Sequence, residues 1–198
     1  MRRASRRQRV SSGVGRMEAA SIPSVCGVIL LDADGKRIVA KYYKSNFASP
    51  PDELAFEKKL SEKTMRTNAK TEAEIIILDG LVTVYRNCGD VWMYIVGSQL
   101  ENELILVTVL GALYETLTSV LRTSPDKRML LDNFDTLLLT LDEMLDQGMI
   151  LEVDSAAIAN RVGMKAADGA PPEAAFSEGS LNTMFASVRE NVARSLLR

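Results

Sequence analysis

The chain has 198 residues, of which 46% are hydrophobic and 25% charged, a composition that suits one globular domain of ordinary size with tails. It contains no histidine, so catalysis that depends on a histidine is excluded. The net charge is −2, and residues 1–21 carry six arginines against one glutamate, which leaves −7 on the other residues and gives them no general attraction for nucleic acids.

Residues 1–21 predict a disordered, basic leader, because too few large apolar side chains are present to offset the entropy lost on ordering. A mitochondrial transit peptide is the alternative, since the segment is rich in Arg and Ser and poor in acids. Its aliphatic side chains are chiefly Val10 and Val14, however, too few for a strong apolar face. No uninterrupted apolar run reaches the length of about 20 residues that a membrane-spanning helix needs, so we expect membrane contact to be peripheral only.

Two strand-like runs open the folded part of the chain. Val25–Leu31 and Lys36–Tyr43 flank an Asp/Gly turn at Asp32–Gly35, which predicts a β-hairpin. The first run is apolar at both odd and even positions, so we expect helices to cover both faces of its sheet. The turn is also similar to the start of a calcium-binding loop, but the twelfth residue from Asp32 is Tyr43 rather than a glutamate, which favours the hairpin.

A helix and three further strands are predicted next. Ser49 and Pro50 are typical of a helix start, and the helix should extend to about Asn68 with one narrow apolar stripe. The three strands are predicted over residues 74–78, 81–86 and 91–97. The first two are joined by Asp79-Gly80, a strong short-range signal for a hairpin.

Helical patterns dominate the second half of the chain. A helix over 101–122 is apolar around most of its circumference and should be buried on several sides. A second helix is predicted from Asp126 to its terminator Gly148, and a short third one over 154–162.

Residues 163–180 are rich in Gly, Ala, Pro and acids and predict a linker. Residues 181–198 regain helical spacing and predict an amphipathic helix that needs a partner surface. Its apolar face consists of Leu181, Met184, Phe185, Val188, Val192 and Leu196. The partner surface stays open between the chain's own domain, a groove on another protein and a membrane.

The sequence contains few residues or motifs that indicate catalysis. The common patterns for nucleotide binding and serine hydrolysis, GxxxxGK[ST], GxGxxG and GxSxG, do not occur. Adjacent carboxylates such as Asp142 and Glu143 point about 100° apart on a helix, as solvated surface charges do. Cys26 and Cys88 lie in or beside predicted strands, and we expect them to be free, buried thiols in a reducing compartment.

Aromatic residues on the strands allow two interpretations, because such side chains fill sheet cores and also favour protein interfaces. Core packing is favoured for Trp92 and Tyr94. As candidate partner contacts we take three tyrosines and two residues of the C-terminal helix, namely Tyr42, Tyr43, Tyr85, Phe185 and Val188.

Several short segments, in order and spacing, resemble the zeta subunits of coatomer more than the small chains of clathrin adaptors. They are Ile29-Leu30-Leu31-Asp32 with Asp34-Gly35, Ala40-Lys41-Tyr42-Tyr43, Phe56-Glu57-Lys58, Glu101-Asn102-Glu103-Leu104, Lys127-Arg128 with Leu130-Leu131, Asp142-Glu143, Ile150-Leu151-Glu152 and Ser195-Leu196-Leu197-Arg198. The resemblance covers about residues 22–198 and leaves out the leader.

The resemblance implies an α/β (α+β) fold of the longin-like type, with a five-stranded, mainly antiparallel sheet between helices over 22–162. It implies a structural subunit of the COPI coat that pairs directly with the gamma coatomer subunit. Other coatomer subunits and an Arf-family GTPase would be reached through the complex, on the cytosolic face of Golgi membranes and COPI vesicles, in Golgi-to-ER and intra-Golgi transport. It implies no cofactor, metal, nucleic acid or catalytic residue. The alternatives are a longin-like trafficking regulator or a clathrin-adaptor-type small chain outside coatomer, with an unrecognised enzyme third.

Overall fold

The structure is a computed structural model that describes residues 23–43, 47, 49–67, 69 and 72–168, with side chains up to Met164 in the last helix. The predicted leader, the rest of the linker and the C-terminal helix lie outside these residues. The elements in chain order are β1 (Val25–Asp32), β2 (Arg37–Tyr42), α1 (Pro50–Thr64), β3 (Glu74–Leu78), β4 (Leu81–Cys88), β5 (Val91–Ser98), α2 (Glu103–Leu121), α3 (Lys127–Asp132), α4 (Phe134–Met144), β6 (Leu145–Asp146), β7 (Met149–Ile150) and α5 (Ser155–Asp168).

The main sheet has five strands in the order β2-β1-β5-β4-β3, and every neighbouring pair is antiparallel. The chain builds one edge as the β1–β2 hairpin, crosses through α1 and then adds three strands from the opposite edge inward. The predicted order of two strands, a helix and three strands is therefore confirmed. The strands β2 and β3 form the two edges of this sheet.

Two apolar layers lie on opposite faces of the sheet. One layer packs against α2, α4 and α5, and its sheet residues include Val28, Leu30 and Ile95. The other layer packs against α1. It includes Ile29 and Leu31 of β1 and Trp92 and Tyr94 of β5. Because β1 sends side chains alternately into the two layers, its apolar residues at both odd and even positions are buried, as the sequence predicts.

The helix α1 starts as predicted but ends four residues before Asn68. Pro50 takes the first helical position, and the hydroxyl of Ser49 donates to the Asp52 carboxylate over 2.7 Å. At the other end, the Thr64 hydroxyl bonds the Leu60 carbonyl and the Tyr94 hydroxyl, each within 2.9 Å. This contact with β5 draws the end of the helix onto the sheet.

The helix α2 is the central helix of the larger layer. Its N-cap is Asn102, whose side chain accepts a hydrogen bond from the Leu104 amide over 2.9 Å. Within the described part of the chain, α2 is long and apolar enough to cross a membrane by length and composition, in contrast to the prediction that no apolar run reaches that length. Leu106, Leu110 and Leu113 are buried against the sheet. The apolar composition of α2 is therefore explained by its place in the core.

The predicted second helix is in fact two helices and a small hairpin. Asn133, at φ −122° and ψ 43°, separates α3 from α4, and its side chain donates to the Met129 carbonyl over 2.9 Å. Gly148 does not end a helix but lies with Gln147 in the β6–β7 turn, where both have positive φ. The helix α5 continues to Asp168, six residues beyond its predicted end at Val162.

Candidate protein-binding surface

The predicted contacts Tyr42 and Tyr43 lie at the end of the edge strand β2. Successive residues of a strand point to opposite faces, so Tyr42 packs with the α1 layer and Tyr43 with the α4 layer. Both side chains are half-buried. No further strand pairs with β2 among the described residues, and its outer edge is available to another chain.

Tyr42 is held in place from the α1 side. Its hydroxyl donates to Oε1 of Glu57 over 2.8 Å, and its ring meets the edge of Phe47 at a centroid distance of 5.2 Å. Burial and the hydrogen bond to the Glu57 carboxylate raise the pKa of Tyr42, so the phenol stays protonated. Tyr42 is therefore a fixed, half-buried ring at this edge of the sheet.

Tyr43 lies at the wall of an open cleft between β2, α4 and the β6–β7 hairpin. Lys41 forms an ion pair with Asp142 of α4 and lies 5.7 Å from the centre of the Tyr43 ring. The hydroxyl of Tyr43 has no hydrogen-bond partner among the described residues. Burial and the nearby carboxylates of Asp142 and Asp146 raise its pKa. The hydroxyl oxygen itself is buried, so Tyr43 contributes its ring rather than a hydrogen-bond donor to the wall of the cleft.

This cleft, which we call the β2 cleft, has a volume of about 480 Å³ and is lined by Lys41, Tyr42, Tyr43, Asp142, Leu145, Asp146, Gln147 and Leu151. Beside it, Leu151 is 57%, Met149 43% and Val153 39% exposed. These apolar residues are not among the predicted contacts, because Gly148 was predicted to end a helix. The alternation of Met149, Leu151 and Val153 was the signal that would have indicated a one-sided extended segment.

Tyr85 has a different environment from Tyr42 and Tyr43. It is 3% exposed, and its ring packs near Trp92 and Tyr94 at centroid distances of 6.2 and 5.9 Å. Its hydroxyl donates to Glu74 over 2.6 Å. The ring therefore belongs to the layer between the sheet and α1, where a partner would not reach it. The remaining two predicted contacts, Phe185 and Val188, lie outside the described residues.

The Asp32–Gly35 turn is stabilised by hydrogen bonds to the Asp32 carboxylate. Oδ1 of Asp32 accepts the amides of Asp34 and Lys36 at 2.9 and 2.8 Å, and Oδ2 accepts the ammonium of Lys127 at 2.8 Å. Burial raises the pKa of Asp32, but these donors outweigh it and the net pKa lies below its usual value. Both carboxylate oxygens are thus used to hold the hairpin turn and the start of α3 together.

The two thiols are unsuited to nucleophilic chemistry. Cys26 and Cys88 are free and buried, as the sequence predicts. Burial raises the pKa of Cys88 to about 11, so its reactive thiolate is scarce near neutral pH. In the described part of the chain, no group of three or more Cys, Asp and Glu side chains is placed to hold a metal ion. What the geometry offers is a surface for binding another polypeptide.

Comparison with known proteins shows that this α/β chain is a small chain of the adaptor type. Residues 24–168 match the family described as clathrin adaptor complex small chain. The chain is 42% identical to coatomer subunit zeta-3 of Arabidopsis thaliana over 89% of its own length and 96% of that protein. It is 39% identical to coatomer subunit zeta-2 of Homo sapiens over 92% and 83% of the two lengths. The chain belongs to the coatomer zeta subunits within the clathrin adaptor small chain family.

A structural comparison supports the fold. One chain in a homology model of the full-length AP-3 complex in a stretched open conformation covers 73% of this chain, with a TM-score of 0.58 and 17% identity. At that identity the likeness bears on the fold alone. The fold class expected from the sequence, a five-stranded sheet between helices, is confirmed.

Proposed function

We propose that this chain is the zeta-type small subunit of the COPI vesicle coat, and that it pairs directly with the gamma coatomer subunit. Through that pairing it joins the other coatomer subunits, and the coat is recruited by an Arf-family GTPase to the cytosolic face of Golgi membranes. The chain acts in Golgi-to-ER and intra-Golgi transport as a structural component without catalytic activity.

The observation that carries the proposal is identity to coatomer zeta subunits along nearly the whole chain. The match to the Arabidopsis thaliana protein includes 177 residues and 96% of that relative, so it is not limited to a shared module. The fold class alone would not distinguish coatomer from a clathrin adaptor or a longin-like regulator. The zeta relatives favour coatomer over both alternatives.

The β2 cleft is the surface that we assign to the gamma subunit. It combines an open strand edge, the fixed ring of Tyr42, the half-buried ring of Tyr43 and the exposed side chain of Leu151. Interfaces of obligate complexes bury apolar side chains at their centre and satisfy polar groups at their rim. The ion pair of Lys41 and Asp142 lies at such a rim.

Co-expression with the trunk of a gamma coatomer subunit tests the proposal. We expect the two chains to co-elute at a one-to-one ratio on size exclusion. Leu151→Asp places a charge at the centre of the proposed contact and should weaken pairing by at least about tenfold, the equivalent of about 1.4 kcal/mol. Leu100→Asp makes the same change at a residue that is 97% exposed and does not line the cleft, and it should pair normally.

Two results would contradict the proposal. If the unmodified chain does not bind the gamma trunk but binds the large chain of a clathrin adaptor, the adaptor alternative is correct. If Leu151→Asp and Leu100→Asp pair equally well with the gamma trunk, the partner surface is not the β2 cleft. Circular dichroism of both variants checks that neither substitution unfolds the chain.

A further inference from the structure

The face of the sheet that packs against α2 is covered unevenly. The helix α4 lies towards β2, where Asp142 meets Lys41, and α2 lies over β4 and β5. Beyond them, on the edge strand β3, Ile75 and Ile77 are 49% and 58% exposed although their cross-strand neighbours on β4 are buried on this face. No helix covers β3 on this face among the described residues.

The flank of α2 beside β3 is apolar as well. Leu104, Val107, Gly111 and Tyr114 recur at intervals of three and four residues and therefore share one side of the helix. Leu104 is 72% exposed. A side chain built at Gly111 would meet no other atom within 4 Å, so a second helix has room to approach closely here.

One unsatisfied polar atom lies between β4 and this flank of α2. The guanidinium carbon of Arg86, on β4, lies 4.0 Å from the ring centre of Tyr114. The Nε of Arg86 is buried and has no hydrogen-bond partner in the described structure. We call the surface bounded by Ile75, Ile77, Leu104, Val107 and Tyr114 the β3 groove.

We propose that residues 181–198 of the same chain dock in the β3 groove as an amphipathic helix and complete the helical layer. Their apolar face, from Leu181 to Leu196, would be about 22 Å long. The α2 flank from Leu104 to Tyr114 is about 15 Å long by the same rise per residue. The predicted apolar face is long enough to cover the described flank of α2, and no element among the described residues covers that flank.

The connection is long enough for this docking. The helix α5 ends at Asp168, and twelve residues, 169–180, separate it from the predicted helix. Twelve residues span at most about 40 Å, more than the width of a five-stranded sheet at about 4.8 Å per strand. Because a link of this length gives an effective concentration on the order of 1 mM, a contact with a Kd of about 0.1 mM would be occupied about nine-tenths of the time.

The match to a zeta relative continues beyond α5. The match to human coatomer subunit zeta-2 includes 183 residues, whereas only 168 residues precede the segment that follows α5. At least 15 matched residues must therefore lie after Asp168. By contrast, the match to the general small-chain family ends at residue 168. The similarity to this zeta subunit therefore extends beyond the region that the general small-chain family covers.

Docking would give the edge strand β3 a cover. An exposed edge strand with apolar side chains is a template for pairing with other chains, and a helix over its outer residues reduces that hazard. Phe185 and Val188 then contact Ile75 and Ile77 of their own chain rather than another protein.

Cysteine cross-linking in the full-length chain tests the proposal. Ile77→Cys with Phe185→Cys should form an intramolecular disulfide under mild oxidation at least about tenfold faster than a control pair, because docking raises the local concentration of the thiols. The control is Leu54→Cys with Phe185→Cys, since Leu54 is 54% exposed on α1 at the opposite face. The buried Cys26 and Cys88 are present in every variant.

A second pair of cysteines tests whether residues 181–198 dock at a different apolar site. A hollow of about 340 Å³ lies between Pro23, Ile105 and Val153. If Val153→Cys reacts with Phe185→Cys faster than Ile77→Cys does, the β3 groove is the wrong site. Equal rates for Ile77→Cys and Leu54→Cys, or disulfides between two chains, would also overturn the proposal.

Amide hydrogen exchange provides a second readout without new cysteines. Phe185→Asp with Val188→Asp in the full-length chain should speed exchange of the amides in residues 74–78 by about tenfold, as expected when local cover is lost. Ser187→Asp with Asn191→Asp places the same charges off the apolar face and should leave exchange unchanged. Equal exchange in both double variants would overturn the proposal. The measurement uses the chain alone, so its failure leaves pairing with the gamma subunit untouched.

Discussion

Arg37 of β2 and Glu57 of α1 form a two-point ion pair at the edge of the sheet. The Nε–Oε2 distance is 3.0 Å and the Nη2–Oε1 distance is 2.6 Å. The side chain of Glu57 is 3% exposed and that of Arg37 is 32% exposed. A buried carboxylate is costly without such donors, and the hydroxyl of Tyr42 supplies a third. The pair therefore fixes α1 against the strand that carries the β2 cleft.

Arg37→Met should destabilise the fold by about 2–4 kcal/mol, because it leaves the Glu57 carboxylate buried with Tyr42 as its remaining side-chain donor. Urea unfolding at neutral pH measures the loss. Arg128→Met is the matched control, since Arg128 is 89% exposed and pairs with Asp132 at 3.6 Å. That variant should change stability by less than about 0.5 kcal/mol. Equal losses in the two variants would show that the Arg37 pair is not a buried one.

The Asp32 carboxylate makes stability depend on pH in the acid range. Its pKa in the folded chain lies below the value in the unfolded chain, about 3.9. Its contribution is therefore complete above about pH 3.9 and is lost as the pH falls through the lower, folded value. Asp32→Asn should be less stable than the unmodified chain near neutral pH, and the difference in stability should narrow as the pH falls below about 3.9. A gap that stays constant from neutral to strongly acid pH in urea titrations contradicts this role.

Gly148→Ala should weaken the β6–β7 hairpin. Gly148 has a φ of +86°, and an added Cβ would lie 2.4 Å from the Val25 carbonyl oxygen. We expect a loss of about 1–3 kcal/mol, together with weaker pairing to the gamma trunk because the hairpin forms a wall of the β2 cleft. Thermal unfolding and co-elution measure the two effects. Gly163→Ala, inside α5 with open space around it, should be neutral or stabilise by up to about 1 kcal/mol.

Leu110→Asp should abolish folding, because Leu110 is 1% exposed in the layer between α2 and the sheet. Leu110→Ala should fold with a loss of about 2–5 kcal/mol. Circular dichroism and expression as soluble protein distinguish the two variants. Soluble, partner-competent Leu110→Asp would mean that α2 does not lie at the centre of the core.

The sequence predicted most of the fold because its local signals agree with the global arrangement. The residues of β1 are apolar at both parities, and Asp79-Gly80 has the turn chemistry that its hairpin requires. The break at Asn133 was missed, since the apolar spacing of α3 and α4 continues across it. The hairpin at Gly148 was missed for a related reason, because glycine suits both a helix end and a tight turn.

The surface was harder to predict than the core. The apolar periodicity of a strand indicates which face of the sheet an aromatic residue lies on. It does not indicate whether a helix covers that face. Tyr85 and Tyr42 have similar sequence contexts, yet α1 and β3 bury the former while the latter lies at an edge. Strand order decides this difference, and it arises from pairings between residues far apart in the chain.

Native isolation of the full-length chain from its own cells, followed by quantitative mass spectrometry, tests the central claim most directly. Membership of the COPI coat predicts the gamma coatomer subunit at a one-to-one ratio, with the remaining coatomer subunits in the same particle. Recovery of a clathrin-adaptor large chain in its place, or of the chain as a free monomer, would contradict the account.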